Sequence, residues 1–441
     1  MAAATDAFSL GAEEAELPFS ILDTDLYKLT MQNAVLKHFY DSQVIIRFTN
    51  RAPQMRFTRE CFDWIQAAVN RLGELSLKPE ERKRLHEACP YFPDSYLDFL
   101  TNIRLTPKEQ VRLTFIAGED GLGEIACEIE GPWRETILYE VPIMSIISEG
   151  YFKFVDTDWS IDGQYELAKQ KAHALLSPPA PVKSLIFSEF GTRRRRSFAV
   201  HDLVMRGLIA GHDEWKAAGG QGGALTGTSN VYLALKYGVK PSGTIAHEWI
   251  MAIGATFGYT GANGRAMDMW EEIYPANSNG PPLIMLTDTY TASVFFKDFL
   301  SDPARALRWS ALRQDSGDPF TFVSEAKEVW DEVAKLVGSS GDALAGKRIV
   351  FSDSLDVKRA IDLQRGCDEI GMGAAFGIGT FFTNDFKKKS APSEQSKALN
   401  MVIKLNVIDG KDCVKLSDDK GKHTGKAEEV VRAKEELGLE L

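Results

Sequence analysis

The sequence contains no run of apolar residues that approaches the roughly 18 needed to cross a bilayer, so we expect no membrane-spanning segment. Residues 1–18 lack the basic and apolar regions of a signal peptide and predict a loose tail. Cysteine is scarce, since the 441 residues include only five, widely spaced and without metal-ligand spacing. This usage favours reduced thiols in an intracellular protein. We therefore expect a cytoplasmic location, with the nucleus as a second compartment.

Positive charge is also in deficit, with 51 Lys+Arg against 62 Asp+Glu and a formal net charge of −11. Such a balance disfavours nonspecific binding to nucleic acid or to anionic lipid, although a local basic patch can still hold phosphate. Hydrophobic residues make up 44% and charged residues 26% of the chain. The length and composition predict a soluble globular protein with one large domain or two ordinary ones.

The middle of the chain repeats one pattern, a short apolar run that ends at a small or polar cluster and is usually followed by a helix-like segment. Alternating strands and helices imply parallel strands joined by right-handed crossovers. Seven such units favour a β/α barrel, with chemistry at the carboxyl ends of the strands, over an open doubly wound sheet. The seven runs are residues 185–187, 224–225, 244–246, 283–286, 311–312, 349–351 and 374–376.

The two flanks lack this pattern. Residues 44–49 and 111–130 are rich in strand formers, 59–72 and 79–88 are helix-like, and 384–397 is a lysine-rich surface connection. Residues 402–407 and 412–416 form a hairpin-like pair around the turn 408–411. We predict a discontinuous α+β domain from residues 19–137 and 391–441. An irregular, incomplete β/α barrel over residues 138–390 interrupts it.

Several features at the predicted strand ends suit an anionic substrate. Glycines beside hydroxyl residues, in Gly227-Thr228-Ser229 and Gly377-Ile378-Gly379-Thr380, let backbone N–H groups approach phosphate. Each cluster alone is equally compatible with an ordinary turn. The run Arg193-Arg194-Arg195-Arg196 is typical of a nucleic-acid patch, a solvated helical turn or a phosphate grip. We favour the grip for Arg193 and surface exposure for at least one of the others.

Carboxylates recur at the same level, at Asp288, Asp315, Asp318 and Asp353. They suit Mg²⁺, which takes one or two carboxylates plus phosphate oxygens and water, and they can stabilise an oxocarbenium-like ribosyl cation. Some of them are expected to be only helix N-caps. His247 ends an apolar run at the predicted active-site face and precedes Glu248, and an oriented imidazole is a good phosphoryl acceptor. The other six histidines show no supporting constellation.

Eight blocks in this order resemble the nicotinate phosphoribosyltransferase family, and they extend from Phe19 to Leu416. They are Thr24-Asp25-Leu26-Tyr27-Lys28-Leu29-Thr30-Met31, Glu189-Phe190-Gly191-Thr192-Arg193-Arg194, Leu225-Thr226-Gly227-Thr228-Ser229-Asn230, Gly243-Thr244-Ile245-Ala246-His247-Glu248-Trp249, Asp288-Thr289-Tyr290, Arg313-Gln314-Asp315-Ser316-Gly317-Asp318, Phe351-Ser352-Asp353-Ser354-Leu355-Asp356 and Phe376-Gly377-Ile378-Gly379-Thr380.

The resemblance implies an incomplete barrel with a discontinuous α+β domain and a reaction of NAD salvage. Nicotinate, phosphoribosyl pyrophosphate, ATP and water give nicotinate mononucleotide, pyrophosphate, ADP and phosphate, with Mg²⁺ as cofactor and a phosphohistidine intermediate. Catalytic roles fall on His247 (the phosphohistidine), Asp288 and Asp315; nicotinate binding on Tyr27, Phe190, Thr244, Arg313 and Ser229; phosphoribosyl pyrophosphate binding on Arg193, Asp353, Gly379 and Thr380; and metal binding on Asp288 and Asp353. We expect a monomer or a homodimer, in which Tyr27 could act from the partner subunit.

Three other functions remain. Nicotinamide-using relatives carry an acidic residue where this chain has Ser229, and an aspartate there would repel a carboxylate, so nicotinate is favoured. Quinolinate phosphoribosyltransferases use no phosphohistidine, which the His247 block argues against. Formation of a phosphohistidine at His247 would therefore separate these two kinds of enzyme. A noncatalytic RNA-binding protein would read through the arginine run, but the net charge and the lack of aromatic RNA-binding motifs disfavour it.

Overall fold

Two large sheets organise the chain in the computed structural model, which describes Phe8, Gly11 and residues 15–276, 279–339, 344–419 and 421–440. One sheet is antiparallel and has the strand order β14-β13-β1-β3-β2. It combines strands from both ends of the chain, as the flanking segments predict. Its strands are β1 (Gln43–Asn50), β2 (Val111–Ala117), β3 (Gly123–Pro132), β13 (Met401–Ile408) and β14 (Lys411–Asp412).

Alternation of buried residues explains why the distant strands β1 and β13 pair. Val44, Ile46 and Phe48 are buried on β1, and the pairing aligns Val44 with Ile408 and Asn50 with Met401. A period of two places one face of each strand in the core. The predicted hairpin is confirmed, because Asp409 and Gly410 both have positive φ and connect β13 to β14.

The second sheet consists of seven parallel strands in the order β6-β5-β4-β10-β9-β8-β7. Its curled form, with β6 and β7 at the two edges, confirms the expected incomplete barrel and excludes the doubly wound sheet. The strands are β4 (Ile186–Glu189), β5 (Ala224–Thr228), β6 (Lys240–Pro241), β7 (Ile284–Leu286), β8 (Ala311–Gln314), β9 (Arg348–Phe351) and β10 (Gly373–Ile378).

Six of the seven predicted strands are confirmed, and the third was placed wrongly. Residues 244–246 form no strand; the strand is Lys240–Pro241, and His247 begins a helix instead of ending a strand. Proline can occupy β6 because this edge strand needs no ladder N–H on its free side. The extended backbone of Ala246, at φ −99° and ψ 161°, is that of a helix N-cap.

Helices cover both sheets and match the predicted helical segments closely. The predicted 321–337 helix is Pro319–Leu336, and its N-cap is Asp318, whose side chain accepts from the backbone N–H of Thr321 at 2.7 Å. Asp318 is therefore one of the carboxylates that only cap a helix. The helices are α1 (Leu26–His38), α2 (Arg59–Asn70), α3 (Pro79–Ala88), α4 (Asp94–Asn102), α5 (Pro107–Gln110), α6 (Trp133–Thr136), α7 (Glu140–Phe154), α8 (Gln164–Leu176), α9 (Phe198–Ala217), α10 (Val231–Tyr237), α11 (His247–Phe257), α12 (Ala262–Glu271), α13 (Ala292–Leu300), α14 (Pro303–Arg308), α15 (Pro319–Leu336), α16 (Val357–Ile370), α17 (Thr380–Thr383) and α18 (Ala427–Leu437).

Two predicted surface segments contribute buried residues. In the segment 384–397, the short strands β11 (Phe386–Lys387) and β12 (Gln395–Ser396) pair, and Phe386 and Ser396 are buried. Of the expected N-terminal tail, Phe8 and Leu17 are buried, while most of the rest lies outside the described residues. Within the described ranges, no helix has the length and apolar character that a membrane crossing requires.

The arginine run is largely internal, so the expected surface exposure of one of the last three arginines was wrong. Arg195 and Arg196 are fully buried and Arg194 is half-buried, with its guanidinium donating to the Met401 carbonyl at 2.8 Å. Arg195 makes a two-pronged pair with Asp23 at 2.7 and 2.6 Å. Arg196 donates to Ser396 and lies over the Phe152 ring. Polarity alone suggested solvent, but each guanidinium has acceptors or an aromatic face inside the protein.

We expect Arg195→Met to lower the free energy of unfolding by about 3–5 kcal/mol, because it leaves the buried Asp23 carboxylate without its charge partner. Urea unfolding followed by tryptophan fluorescence measures the loss. Arg206→Met, which removes a half-exposed arginine from helix α9, is the control. Equal losses in the two variants would contradict a structural role for the buried pair.

Candidate active site

The carboxyl ends of the parallel barrel strands meet at one rim, and most of the predicted site residues lie there. Strand β4 ends at Glu189 before Phe190, β5 at Thr228 before Ser229, and β10 at Ile378 before Gly379. This rim is where enzymes of β/α barrel type carry their chemistry. Tyr27 comes from outside the barrel, on helix α1, and its backbone nitrogen lies 3.0 Å from the position that a Cβ on Gly243 would take. The Tyr27 ring lies near Arg193, and its hydroxyl donates to Glu140 of the same chain.

Phe190 is held in place by backbone on the neighbouring strand. Its N–H donates to the Ile378 carbonyl at 2.8 Å. Its ring lies directly on Gly377, where a Cβ would come within 2.4 Å of a ring carbon. Gly379 is equally close, since a Cβ there would lie 2.8 Å from the Phe190 carbonyl oxygen. The glycines of this block therefore seat the Phe190 ring, beside any role they have toward phosphate.

Gly379 and Thr380 form the turn from β10 into the short helix α17, and this turn is tied to the loop that follows β4. Thr383 at the end of α17 donates its hydroxyl to the Gly191 carbonyl at 3.0 Å. Lys171 donates to the Phe381 carbonyl at 2.6 Å and to Asp385 at 2.7 Å. The turn and the Phe190 loop are thus one connected unit.

Ser229 does not leave its surroundings free of negative charge. Its hydroxyl donates to the Asp25 carboxylate at 2.7 Å, and Asp25 is buried. Burial raises the pKa of Asp25. The nearest cation is Arg193, with Nε 3.7 Å from Asp25 and Nη1 3.4 Å from Glu140. An acidic group therefore lies beside Ser229, so a serine at this position does not by itself keep negative charge away from a substrate carboxylate.

Arg313 lies at the centre of a planar set of contacts. Its Nη1 donates to Thr244 Oγ1 at 2.8 Å, its Nη2 to Asp315 Oδ1 at 2.8 Å and its Nε to Ser352 Oγ at 2.7 Å. A guanidinium has five N–H donors, so these bonds leave one hydrogen on each terminal nitrogen. Predicted neighbours Thr244 and Arg313 are brought together, and the remaining donors suit a carboxylate.

The His247 imidazole is fixed at both ring nitrogens. Nδ1 lies 2.9 Å from Thr289 Oγ1, while Nε2 lies 2.8 Å from Lys415 Nζ and 3.3 Å from Asp315 Oδ2. Burial and the Lys415 ammonium lower the pKa of His247, so the neutral ring is favoured. Because Lys415 can only donate and lies closer to Nε2 than the Asp315 carboxylate does, the neutral ring carries its proton on Nδ1 and its Nε2 lone pair accepts from Lys415. Thr289 is therefore the residue that orients the ring through Nδ1, while the neighbouring Glu248 carboxylate binds Lys28.

The acidic residues separate into a cluster around His247 and an exposed member. Ligand atoms of His247, Asp288 and Asp315 lie within 4.8 Å of one another. Asp288 Oδ2 accepts from Lys415 at 3.0 Å and from Ser316 at 2.5 Å, while Oδ1 is buried without a hydrogen-bond partner. Burial opposes it, but Arg313 and His247 hold the pKa of Asp315 well below its ordinary value. Asp353 is exposed and is not part of this cluster.

Several important groups escaped the sequence analysis. Lys415 comes from the C-terminal flank, outside every motif, and Thr289 is visible only as the residue after Asp288. His201 was assigned no supporting constellation, which is wrong: its Nε2 lies 2.7 Å from Glu189, and both residues are fully buried. Glu189 also accepts from Thr228 at 2.5 Å and from the Gly191 N–H, so it joins the ends of β4 and β5. The family block around Glu189 was the available signal for this role.

Comparison with known proteins extends over nearly the whole chain. The nicotinate phosphoribosyltransferase (NAPRTase) family model matches residues 185–441, and the N-terminal domain model of the same family matches residues 22–148. A probable nicotinate phosphoribosyltransferase of Schizosaccharomyces pombe is 41% identical over 96% of this chain and 98% of its own length. The nicotinate phosphoribosyltransferase of Saccharomyces cerevisiae is 42% identical over 95% of both chains.

Solved structures agree with the sequence comparisons. A crystal structure of a putative nicotinate phosphoribosyltransferase from Saccharomyces cerevisiae has a TM-score of 0.88 at 39% identity, covering 97% of this chain and all of that one. The Porphyromonas gingivalis nicotinate phosphoribosyltransferase has a TM-score of 0.82 at 36% identity, over 95% of this chain and 99% of that one.

The incomplete barrel, with a histidine, an arginine and carboxylates at its rim, defines the class as an enzyme of β/α barrel type. Within that class the assignment is specific, because both family models and full-length relatives agree. The chain belongs to the nicotinate phosphoribosyltransferase family and is an enzyme of that family. The resemblance seen in the sequence is thereby confirmed.

We expect Lys415→Met to raise the pKa of His247, since it removes a neighbouring positive charge and leaves the Asp288 and Asp315 carboxylates that favour the imidazolium. An NMR titration of the His247 ring resonances in both proteins measures the shift. Lys426→Met, at an exposed lysine of the same flank, serves as the control. A lower or unchanged pKa in Lys415→Met would contradict the proposed electrostatic contact.

Proposed function

We propose that this protein transfers the phosphoribosyl group of phosphoribosyl pyrophosphate to nicotinate in NAD salvage and couples this transfer to ATP hydrolysis through a phosphohistidine at His247. The observation that carries the proposal is the His247 environment: a ring with a lowered pKa, Nδ1 held by Thr289, and Nε2 facing Lys415 beside the Arg313–Asp315 pair. A histidine in this setting is a nucleophile that adjoins a carboxylate-binding arginine.

Nicotinate is proposed to bind between Tyr27 and Phe190, with its carboxylate on Arg313 and Thr244. The aromatic faces suit the flat pyridine ring, and the two free Nη hydrogens of Arg313 suit two carboxylate oxygens. Ser229 is proposed to line the same pocket, where its hydroxyl donates to the Asp25 carboxylate. The proposal uses the Tyr27 of the same chain, whose ring lies near Arg193.

Phosphoribosyl pyrophosphate is proposed to bind with its phosphates near Arg193 and the Gly379–Thr380 turn. The side chain of Arg193 is 39% exposed, which leaves it accessible to an anion. Asp315 and Asp288 place negative charge where the ribosyl carbon becomes cationic as the bond to pyrophosphate breaks. The nicotinate nitrogen then forms the new bond to that carbon, and pyrophosphate leaves.

The acidic residues fit a Mg²⁺ ion at this site. Asp288 Oδ1 is a buried carboxylate oxygen with no hydrogen-bond partner among the described residues. Mg²⁺ takes one or two carboxylates together with phosphate oxygens and water. Asp288 and the exposed Asp353 are the proposed ligands. Burial raises the pKa of Asp353, and the nearby Asp315 carboxylate raises it further. Bound Mg²⁺ supplies positive charge that stabilises the pyrophosphate leaving group.

In the proposed ATP reaction, His247 Nε2 attacks the γ-phosphorus, an N–P bond forms and the P–O bond to ADP breaks. Thr289 keeps the proton on Nδ1, and the Nε2 lone pair, which accepts from Lys415 in the structure, attacks when the ammonium exchanges this bond for the phosphoryl oxygens. Lys415, adjacent to Nε2, stabilises the incoming phosphoryl oxygens. Water later cleaves the N–P bond and releases phosphate, which restores the free imidazole.

The competing functions fit less well. The Ser229 argument against nicotinamide is weakened by Asp25, so the preference for nicotinate depends on Arg313. Quinolinate carries a second carboxylate and its enzymes need no phosphohistidine, which leaves the His247 environment without a purpose. An RNA-reading arginine run would require accessible guanidinium groups, whereas Arg195 and Arg196 are buried.

A cytoplasmic location is proposed on the basis of five cysteines that are all buried free thiols.

Arg313→Ala is expected to lower kcat/KM for nicotinate. The loss corresponds to about 2–5 kcal/mol of transition-state stabilisation, because a buried charge pair with the substrate is removed. The discrimination between nicotinate and nicotinamide should fall with it. Steady-state kinetics with both substrates measures the two effects, and Arg308→Ala, at an exposed arginine that pairs with Glu271, is the control. A variant that still prefers nicotinate at the wild-type ratio would show that the carboxylate is held elsewhere.

His247→Ala is expected to abolish ATP hydrolysis and acid-labile phosphorylation while slow, ATP-independent transfer survives, since other residues perform the ribosyl chemistry. Incubation with γ-labelled ATP, acid treatment and peptide mapping locate the phosphoryl group. His173→Ala, at a partly exposed histidine, is the control. Label on another residue, or an alanine variant still stimulated by ATP, would refute the phosphohistidine.

A further inference from the structure

A buried ion network begins next to His247 and ends at the proposed nicotinate pocket. Its centre is Lys28, which is 1% exposed and contacts Glu140 and Glu248, each at 2.5 Å. Burial opposes it, but the two carboxylates hold the pKa of Lys28 above its ordinary value, so this lysine is charged. One cation is thus shared between two acids inside the protein.

The Glu248 end is joined to the phosphoryl-accepting histidine by the backbone. His247 and Glu248 are the first two residues of helix α11, and their side chains face different partners. His247 faces Thr289 and Lys415, while Glu248 binds Lys28 and accepts from Trp133 Nε1 at 2.6 Å. Any displacement of the first turn of α11 at His247 therefore moves Glu248 relative to Lys28.

The Glu140 end reaches the residues proposed to bind substrate. Its Oε1 accepts from the Tyr27 hydroxyl at 3.3 Å and from Arg193 Nη1 at 3.4 Å. Tyr27 is also the residue directly before Lys28 on helix α1. The same lysine thus borders the stacking ring through the chain and through Glu140. It links this pocket to the helix that carries His247.

A shared cation between two acids responds to changes at either end. Phosphorylation of His247 adds up to two negative charges at the start of α11. If that turn shifts, the Lys28–Glu248 contact changes, and Lys28 redistributes toward or away from Glu140. Coupling between two sites requires that each ligand bind the two arrangements with different affinity, and typical coupling factors are roughly 5–150. The Glu140 contacts with Tyr27 and Arg193 supply such a difference on the substrate side.

We propose that Lys28 and Glu248 are positioning residues that couple the phosphorylation state of His247 to the affinity of the Tyr27–Arg193 pocket for substrate. The proposal rests on the phosphohistidine described above. It explains how ATP hydrolysis can benefit a transfer whose own leaving group, pyrophosphate, is already present. Without the Lys28–Glu248 pair, hydrolysis and transfer proceed side by side.

Glu248→Gln is the sharpest test, because the amide oxygen can still accept from Trp133 while the charge that holds Lys28 is lost, and the Lys28–Glu140 pair remains. The full-length variant should still form acid-labile phosphohistidine from γ-labelled ATP. In wild type we expect ATP to lower the KM for nicotinate by about tenfold. In the variant this factor should fall to about one, and the ATP hydrolysed per nicotinate mononucleotide formed should rise severalfold.

Two further variants complete the experiment. Lys28→Met removes the same contact from the other side and should uncouple the two reactions in the same way. Glu272→Gln, at the exposed pair between Lys37 of helix α1 and Glu272 at the end of helix α12, should behave as wild type. Wild-type stoichiometry and ATP response in Glu248→Gln would overturn the proposal. So would loss of His247 phosphorylation in that variant, which would place Glu248 in the phosphoryl transfer itself. Absence of phosphohistidine in wild type would instead refute the proposed function, and the coupling with it.

Discussion

The contact of Lys415 with His247 and Asp288 is the interaction on which the site depends. Lys415 follows the β13–β14 hairpin of the flanking sheet, yet its ammonium enters the barrel rim. The interrupted order of the chain makes this contact available, because strand β13 returns to pair with β1 only after the whole barrel is complete. Folding of the flanking sheet therefore completes the electrostatic environment of the barrel histidine.

Buried charge elsewhere in the protein follows the same rule of compensation. Lys28 lies between two glutamates, Arg195 faces Asp23, and Arg313 faces Asp315. A cation or anion left alone in such surroundings would be costly, whereas a paired one also fixes geometry. The chain as a whole carries an excess of acid, but its interior alternates in sign. Substrates with several negative charges thus meet prearranged dipoles and cations instead of mobile water.

The barrel could be predicted because most of its strands end at a recognisable cluster. Arg313 lies in strand β8 beside such a cluster, whereas His247 was placed at the rim although the run before it is no strand and the residue begins helix α11. What failed has physical causes. Residues 244–246 read as a strand because apolar and β-branched residues are also compatible with the extended backbone before a helix. The burial of Arg195 and Arg196 could not be read from polarity, since it depends on acceptors that are distant in sequence. Lys415 and His201 were missed because only the fold brings each of them into contact with its partner.

The seat of the Phe190 ring on Gly377 gives the pocket a fixed internal scale. The Phe190 backbone N–H donates to the Ile378 carbonyl of β10, and the ring touches the backbone at Gly377, two residues before Gly379. The wall proposed for the base and the turn proposed for phosphate are therefore parts of one strand end and cannot move apart independently. Such a pocket measures the separation between an aromatic base and a phosphate. A ligand with one extra bond between these groups would fill either end correctly and miss the other.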